Sequence, residues 1–295
     1  MPTHIEHIED TILTGDLSAI EALYSPQHIS VKFDGVSLVW GTDPATNTFF
    51  VGTKAVFNKK KIRVAHSHDE IDELYDGSEE LNDILHTAYN YLPRTDRIIH
   101  GDFIGWGNES IFTQNTLTYE FANFVPEKMI IAPHTEYFGD DLRAMDYSVP
   151  FRDFMDVHPK IKWVQPCIDR LSAGISAPDI DKSAIKFLDE RTAQCCKKII
   201  NAFIREGKPL TDELLTLIFD DAPLANLYQM VIEMKEDLMD SLIIHSCPKS
   251  YIKMPAAGYL QVKQEGFALY SEGQTYKLVD REVFSHANFH NSPFR

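Results

Sequence analysis

Apolar and polar residues alternate from residue 25 to about residue 138, a pattern that is typical of antiparallel β-strands. Strand-like segments occupy Ile29–Gly41 and Phe49–Phe57, with a turn-rich stretch between them. One helix is predicted near Ser78 to Leu92, because serine is a favoured N-cap and apolar residues then recur along one face. This part of the chain is therefore predicted to be a sheet with one helix.

The apolar spacing becomes helical between about Phe151 and Cys247. Capping residues divide this region into three predicted helices, which run from Pro178-Asp179 to Gly207, from Thr211 onward, and from Ala222 to about Ile244. Strand-like alternation returns from Tyr259. We expect an α+β fold, with residues 1–145 and 250–295 forming one domain and residues 151–247 forming a helical insertion that contacts substrate or a partner.

Composition narrows the function classes. The chain has 295 residues and a net charge of −16, which argues against a generic nucleic-acid coat because non-specific affinity comes mainly from contacts of Lys and Arg with phosphate. The densest basic cluster is nevertheless local, and comprises Lys54, Lys59, Lys60, Lys61 and Arg63. Its position favours a contact with nucleic acid or a triphosphate, and the alternative is a solvated strand end.

No apolar run approaches the length that crosses a membrane, and the acidic residues 1–10 do not form a signal peptide. The four cysteines lack Cys-x-x-Cys spacing and the density of a secreted domain. We therefore expect reduced thiols, a cytoplasmic location and no membrane partner.

The candidate chemistry centres on Lys32, in the sequence Val31-Lys32-Phe33-Asp34-Gly35. A lysine there is costly to bury, because an ordinary amine with a pKa of about 10.4 is almost wholly charged at neutral pH. Strand character on both sides predicts that Lys32 lies at a strand end and points into a cleft. The alternative is a lysine on an edge strand that discourages aggregation.

Five later segments carry candidate partners in a defined order. They are Lys54 in Phe49–Phe57, Asp102 in Arg97–Gly105, Phe121 (with Tyr119 second) in Leu117–Phe124, Glu265 in Gln264–Tyr270, and Lys277 in Tyr276–Asp280. The two aromatic residues taken alone would more often belong to a core, and Glu265 would fit a hairpin turn equally well.

Lys-x-Asp-Gly followed by these elements in this order resembles the covalent nucleotidyltransferase superfamily of ATP-dependent DNA ligases, RNA ligases and mRNA-capping enzymes. Only 18 residues follow Lys277, which is expected to leave no room for the C-terminal OB-fold of DNA ligases. The chain is thus more similar to the RNA-ligase branch, and to phage-type RNA-ligase-like proteins.

The resemblance implies the adenylation-domain fold of antiparallel sheets with flanking helices, ATP and Mg²⁺ as cofactors, and nucleic-acid ends, in particular RNA 5′-phosphates, as partners. It also implies a role for each residue. Lys32 would be the covalent nucleophile with Lys277 beside it, Lys54 and Lys277 would hold phosphates, Glu265 would hold magnesium, Asp102 would contact the ribose, Phe121 or Tyr119 would stack on the purine, and Val31, Asp34 and Gly35 would complete the nucleotide site.

Attack on a phosphate needs a neutral amine, and an unperturbed lysine is neutral only about 4 times in 10,000 at pH 7. We expect Lys277 and a bound metal to lower the pKa of Lys32. Two positions differ from the usual motifs. Val279 stands where a second lysine is common, so that phosphate contact would either come from Arg281 or be missing. Asp102 stands where glutamate is commoner.

Two functions of other classes stay open. One is a non-catalytic nucleotide- or RNA-binding relative of the ligases, which Val279 would suit. The other is an interaction protein that works through its helical region. Use of GTP in place of ATP is a further alternative within the enzyme class.

Overall fold

The structure is a computed structural model, and it describes residues 5–153, 155–171, 178, 180–254 and 258–291. The strands are β1 (Glu6–His7), β2 (His28–Lys32), β3 (Val36–Asp43), β4 (Thr48–Gly52), β5 (Ile98–Trp106), β6 (Glu109–Phe112), β7 (Leu117–Val125), β8 (Met129–Phe138), β9 (Tyr147–Pro150), β10 (Ile161–Trp163), β11 (Cys167–Arg170), β12 (Leu242–His245), β13 (Lys249–Met254), β14 (Gly258–Val262), β15 (Gly266–Ser271) and β16 (Gln274–Leu278). The α-helices are α1 (Ile8–Thr11), α2 (Ser18–Tyr24), α3 (His68–Leu74), α4 (Glu79–Tyr91), α5 (Glu190–Arg205), α6 (Asp212–Phe219), α7 (Ala222–Ser241) and α8 (His286–Asn291). The structure is therefore α+β, as the sequence predicts.

The strands form three larger sheets and one two-stranded sheet. Sheet A has the order β1-β16-β15-β2, sheet B the order β10-β8-β5-β3-β4 with β9 also on β8, and sheet C the order β14-β13-β7-β6. Strands β11 and β12 pair with each other. Most neighbours are antiparallel, and the parallel pairs are β1 with β16 and β10 with β8. Sheet A thus joins strands from both ends of the chain.

Side-chain caps explain where the predicted helices begin. Ser78 accepts a hydrogen bond from Leu81 N at the start of α4, and Thr211 accepts one from Leu214 N at the start of α6. Both predicted starts are confirmed. The predicted helix that ends at Gly207 begins later than expected, at Glu190; Pro178 is not helical, and Asp179 lies outside the described residues.

The largest core cluster joins sheet A to the C-terminal helices. Val31 of β2 and Phe267 of β15 belong to it, together with Ile200 of α5, Leu215 of α6 and Leu238 of α7, all buried. Val31 therefore packs into this core and does not face a nucleotide site. A second cluster packs α3 and α4 against sheet B.

The prediction that residues 151–247 form a helical block is wrong in its first part. Ile161–Trp163 is a strand that extends sheet B next to Met129–Ile131, and Cys167–Arg170 pairs with Leu242–His245. Short apolar runs of this length do not reveal by periodicity alone whether they are strand or helix. The helices that follow share the largest core with sheet A, so they do not have a core of their own.

Across the described ranges, no helix combines the length and the apolar composition that a membrane span requires. All four cysteines are free thiols.

Candidate active site

Lys32 is the last residue of β2, and its side chain is mostly buried. Its backbone pairs with Gly266 of β15, and its carbonyl accepts a hydrogen bond from Glu265 N (3.2 Å). This pairing sets the Glu265 side chain against Lys32, whose Nζ donates to Glu265 Oε2 and to Phe33 O (3.3 Å). The predicted location of Lys32 at a strand end is confirmed.

Asp102 reaches the same place from the middle of sheet B. It lies on β5 between its partners Ser37 of β3 and Ala132 of β8, and it is 5 % exposed. Its Oδ2 atom lies 4.0 Å from Lys32 Nζ. Two carboxylates, from Asp102 and Glu265, therefore flank one lysine.

Two more lysines, Lys54 and Lys277, interact electrostatically with Lys32. Lys277 lies on β16, and burial followed by repulsion from Lys32 lowers the pKa of Lys277 to about 8. Lys54 begins a 3₁₀ turn, Lys54–Phe57, and does not lie on a strand as predicted, because Thr53 caps this turn by accepting from Ala55 N (3.2 Å). Loss of surrounding water at its amine, and then repulsion by Lys32, hold the pKa of Lys54 below its ordinary value, although much of the side chain is exposed.

The carboxylates decide the charge state of Lys32. Burial alone would lower the pKa of Lys32, but Glu265 and then Asp102 outweigh it and raise the pKa above its ordinary value. The expectation of a lowered pKa for Lys32 is therefore wrong for this arrangement, because the carboxylates outweigh repulsion between Lys277 and Lys32. Lys277 lacks such a close carboxylate among the described ion pairs, and its own pKa is lowered, as is that of Lys54.

Asp34 and Gly35 position the loop that follows Lys32. The Asp34 carboxylate accepts hydrogen bonds from the backbone amides of Thr116 (2.7 Å) and Leu117 (3.0 Å), which ties the loop to the start of β7. Burial, and then a neighbouring carboxylate, raise the pKa of Asp34 to about 7. A Cβ atom on Gly35 would lie 2.2 Å from the carbonyl oxygen of Phe103, so no side chain fits there.

Of the two candidate base-stacking residues, Tyr119 lies in the core, and Phe121 is partly buried against it. Tyr119 is fully buried, its hydroxyl accepts a hydrogen bond from Asp34 N (2.6 Å), and its ring packs on Phe33 with centroids 5.5 Å apart. Phe121 packs edge-on against Phe112 at 5.5 Å. Tyr119 therefore supports the loop after Lys32 and is not an exposed platform for a base.

A cavity of about 350 Å³ opens between the loop that follows Lys32 and the residue that precedes Lys54. Its wall comprises Gly35, Val36 and Ser37 at the start of β3, Thr53 next to Lys54, and Leu81 and Ile84 of α4. The volume is at the lower end of the range for small-molecule sites. In the described residues, neither Phe121 nor Tyr119 lines this cavity.

Two buried histidines that the sequence analysis did not single out lie beside Asp102. His100 precedes it by two residues on β5, and His134 Nε2 on β8 lies 3.2 Å from Asp102 Oδ2. Burial lowers the pKa of both imidazoles. The two-residue period of a strand places His100 and Asp102 on one face, which the sequence could have indicated. His134 meets them only through strand pairing, for which the sequence offers no signal.

Arg281 does not replace the missing lysine of the last motif. Its guanidinium is 3 % exposed, and Nη1 donates to Glu9 Oε1 (3.3 Å) and Asp10 Oδ1 (3.0 Å). Val279 is buried as well. The alternative in which Arg281 supplies a phosphate contact is therefore wrong, and Lys277 is the cation that this strand brings to the site.

Comparison with protein families identifies one relationship. The chain belongs to a family of unknown function, DUF6267, whose model matches residues 2–221 and 220–292. No curated protein and no solved structure matched the chain.

Proposed function

We propose that this protein is an ATP-dependent nucleotidyltransferase of the polynucleotide-ligase type, with Lys32 as its covalent nucleophile. The observation that carries the proposal is the convergence on Lys32 of residues from distant parts of the chain. Glu265, 233 residues away, pairs with Lys32, and Asp102 lies 4.0 Å from it. Lys54 and Lys277 interact electrostatically with the same lysine. The ordered motifs predicted this grouping without knowledge of the fold.

In the proposed step, Lys32 Nζ attacks the α-phosphorus of ATP. A nitrogen–phosphorus bond forms, the bond from the α-phosphorus to the bridging oxygen breaks, and pyrophosphate leaves with that electron pair. Lys32 must first lose a proton, because its raised pKa keeps it charged at rest. Nζ donates a hydrogen bond to Glu265 Oε2, and the proton would pass to solvent as this ion pair opens. Lys54 and Lys277 would offset the charge of the phosphates.

Mg²⁺ fits the donor set around Lys32. Glu265 and Asp102 offer carboxylate oxygens beside Lys32, and magnesium is commonly held by one or two carboxylates together with substrate phosphates. Glu265 would hold the ion, which would neutralise charge on the triphosphate. Because the same carboxylate raises the pKa of Lys32, a cation on Glu265 would favour the neutral amine.

The 350 Å³ cavity is the proposed place for the nucleoside. Ser37 and Gly35 connect it with Asp102 and with the loop after Lys32, and Thr53 connects it with Lys54. Val36, Leu81 and Ile84 provide apolar contact for a base. In this proposal, aliphatic side chains contact the base in place of the predicted aromatic stack.

The direct test is incubation of the purified chain with α-labelled ATP and Mg²⁺, followed by denaturing electrophoresis. A protein-bound label that appears together with released pyrophosphate supports the proposal. α-Labelled GTP in a parallel reaction decides which nucleotide is used. Absence of protein-bound label with both nucleotides would contradict the proposed enzymatic function.

A non-catalytic nucleotide-binding relative is the second candidate, and one observation favours it. Lys32 is held as a charged ammonium between Glu265 and Asp102, which suits a structural ion pair as well as a resting nucleophile. Saturable ATP binding by calorimetry without covalent label would identify this function. The third candidate, an interaction protein, predicts neither binding nor label.

We propose a nucleic-acid 5′-phosphate end, in RNA, as the acceptor, and the cytoplasm as the location. Lys59, Lys60, Lys61 and Arg63 are exposed and follow the turn that carries Lys54, so they could hold the acceptor strand near the site. The four free thiols suit a reducing compartment.

Replacing Lys59, Lys60 and Lys61 together by alanine is expected to weaken binding of a single-stranded RNA 5′-phosphate. The salt dependence of binding should also fall, because each lost phosphate contact lowers the slope of log K against log salt by about 0.7. Fluorescence anisotropy over a salt series measures both quantities. Lys182, Lys186 and Lys198, replaced together, provide a matched control with the same change in charge. An unchanged affinity in the first variant would separate this basic cluster from RNA binding.

ATP affinity is expected to fall as the pH rises through about 8. The free protein loses the Lys277 proton near that pH, whereas bound phosphates would retain it, so binding above the pKa must include proton uptake. Lys277→Arg should keep its affinity over the same range, since arginine stays charged. Calorimetric titration at several pH values measures the difference. Identical pH profiles for the two proteins would show that Lys277 does not contact the nucleotide.

A further inference from the structure

Two buried histidines beside Asp102 have no role in the proposed transfer. His100 on β5 and His134 on β8 lie on either side of Asp102, and the two rings are 4.4 Å apart between centroids. One candidate ligand atom from each of the three residues lies within 4.8 Å of the other two. All three side chains are at least nine-tenths buried.

One polar atom of each of these three side chains lacks a hydrogen bond within the described residues. Within the described part of the chain, His100 Nδ1, Asp102 Oδ2 and His134 Nε2 have no hydrogen-bond partner. The 3.2 Å contact between His134 Nε2 and Asp102 Oδ2 lacks the alignment of a hydrogen bond. Leaving buried polar atoms unsatisfied costs about 1–3 kcal/mol for each group, so three such atoms in one place call for an explanation.

The other nitrogen of each imidazole is already engaged. His100 Nε2 lies 3.0 Å from Ser37 Oγ, and His134 Nδ1 lies 2.7 Å from Thr135 Oγ1. When these nitrogens carry the ring hydrogen and donate it to the hydroxyls, His100 Nδ1 and His134 Nε2 present lone pairs. Metal-binding histidines are held by outer hydrogen bonds of this kind, which set the tautomer and the ring orientation.

We infer that His100, Asp102 and His134 bind a divalent transition-metal ion, with zinc as the preferred ion. Two imidazole nitrogens and one carboxylate oxygen are a donor set that zinc favours, and they leave one position of a tetrahedral ion for water or a substrate atom. Bonds of about 2.0–2.1 Å place two ligand atoms of such an ion about 3.4 Å apart. The His134–Asp102 separation of 3.2 Å is close to that value, and the ligand atom of His100 lies within 4.8 Å of both.

This site differs from the magnesium position proposed at Glu265 in its two imidazole donors and in its ion, and Asp102 lies beside both positions. It includes Asp102, whose Oδ2 lies 4.0 Å from Lys32 Nζ, so an ion there would sit next to the proposed nucleophile. Metal binding does not depend on the proposed transfer. It can be measured without ATP, so failure of one proposal leaves the other unaffected.

The test is titration of the full-length chain, freed of metal by a chelator, with Co²⁺ as a spectroscopic probe, followed by displacement with Zn²⁺. One equivalent of Co²⁺ should develop visible absorption typical of low coordination, and Zn²⁺ should abolish it. His100→Gln and His134→Gln should each weaken binding by at least about tenfold. His245→Gln is the matched control, because it alters an exposed histidine that pairs with Asp169.

Circular dichroism on each variant distinguishes lost binding from lost folding, and Asp102→Asn provides a third change of nearly identical shape. Stoichiometric binding that is weakened in folded variants of the three residues, and unchanged in His245→Gln, supports the site. The inference is overturned if Co²⁺ does not bind saturably to the parent protein. Unchanged affinity in the folded Gln variants, or loss of binding in the His245 control, overturns it as well.

Discussion

Lys32→Arg is expected to abolish the covalent nucleotide adduct, by at least about 10⁴-fold in rate, as removal of a catalytic nucleophile does in other enzymes. Arginine keeps a positive charge between Glu265 and Asp102, so the local ion pairs can persist. Its guanidinium does not deprotonate and cannot attack phosphorus. Denaturing electrophoresis with α-labelled ATP measures the adduct, and calorimetry should still detect nucleotide binding.

Lys32→Ala is a less specific change. It removes the cation that neutralises two carboxylates, and loss of one partner from a buried pair costs about 3–5 kcal/mol when little water can enter. Lys59→Ala, an exposed lysine on the neighbouring segment, is the matched control and should label normally. Normal labelling of Lys32→Arg would place the nucleophile elsewhere and defeat the central assignment.

Arg281→Met is expected to lower the free energy of unfolding by about 3–5 kcal/mol. The guanidinium is buried between Glu9 and Asp10 and also contacts Tyr228 Oη (3.1 Å) and Asn201 Oδ1 (3.0 Å). Methionine fills much of the same volume but leaves Asp10 without its cation. Chemical denaturation followed by circular dichroism measures the change.

The loss should come from the uncompensated charge more than from packing. Adding Asp10→Asn to Arg281→Met is therefore expected to restore part of the stability, because it removes the unpaired carboxylate. Arg191→Met on the exposed face of α5 should change the free energy of unfolding by less than about 0.5 kcal/mol. A stable Arg281→Met protein would show that water or Lys235 compensates Glu9 and Asp10 without the arginine.

Motif order along the chain was a good guide to which residues meet. Lys32, Asp102, Glu265 and Lys277 each lie on or beside a strand, and the short-range alternation and turn residues around them identify those strands. Their mutual distances depend on strand pairings over long sequence separations, such as the one that sets Glu265 against Lys32, 233 residues away, and no local pattern encodes these pairings. The pKa shift of Lys32 was predicted in the wrong direction for that reason.

Burial separates the other successes from the failures. The α4 and α6 starts follow from one capping side chain each, so local chemistry suffices. Motif order made Tyr119 the second choice for the base-stacking residue, yet it is fully buried and packs on Phe33, as an aromatic residue taken alone more often would. From its position near Lys277, Arg281 was a candidate for a second phosphate contact. It is instead buried in ion pairs with Glu9 and Asp10, which are far away in the sequence.

Sheet A pairs strands that are far apart in the sequence, which affects when the sheet can form during synthesis. Strands β1 and β2 are translated well before their partners β16 and β15. Lys32 is therefore synthesised long before Glu265 and Lys277. The contact of β2 with Phe267 of β15 can form only after that later strand has been translated. Sequence separations of this size slow folding, because loop-closure entropy precedes the gain from contact. A nascent chain that ends before residue 266 therefore cannot pair β2 with β15. In ribosome-bound chains stalled at such lengths, β2 should be accessible to chaperones.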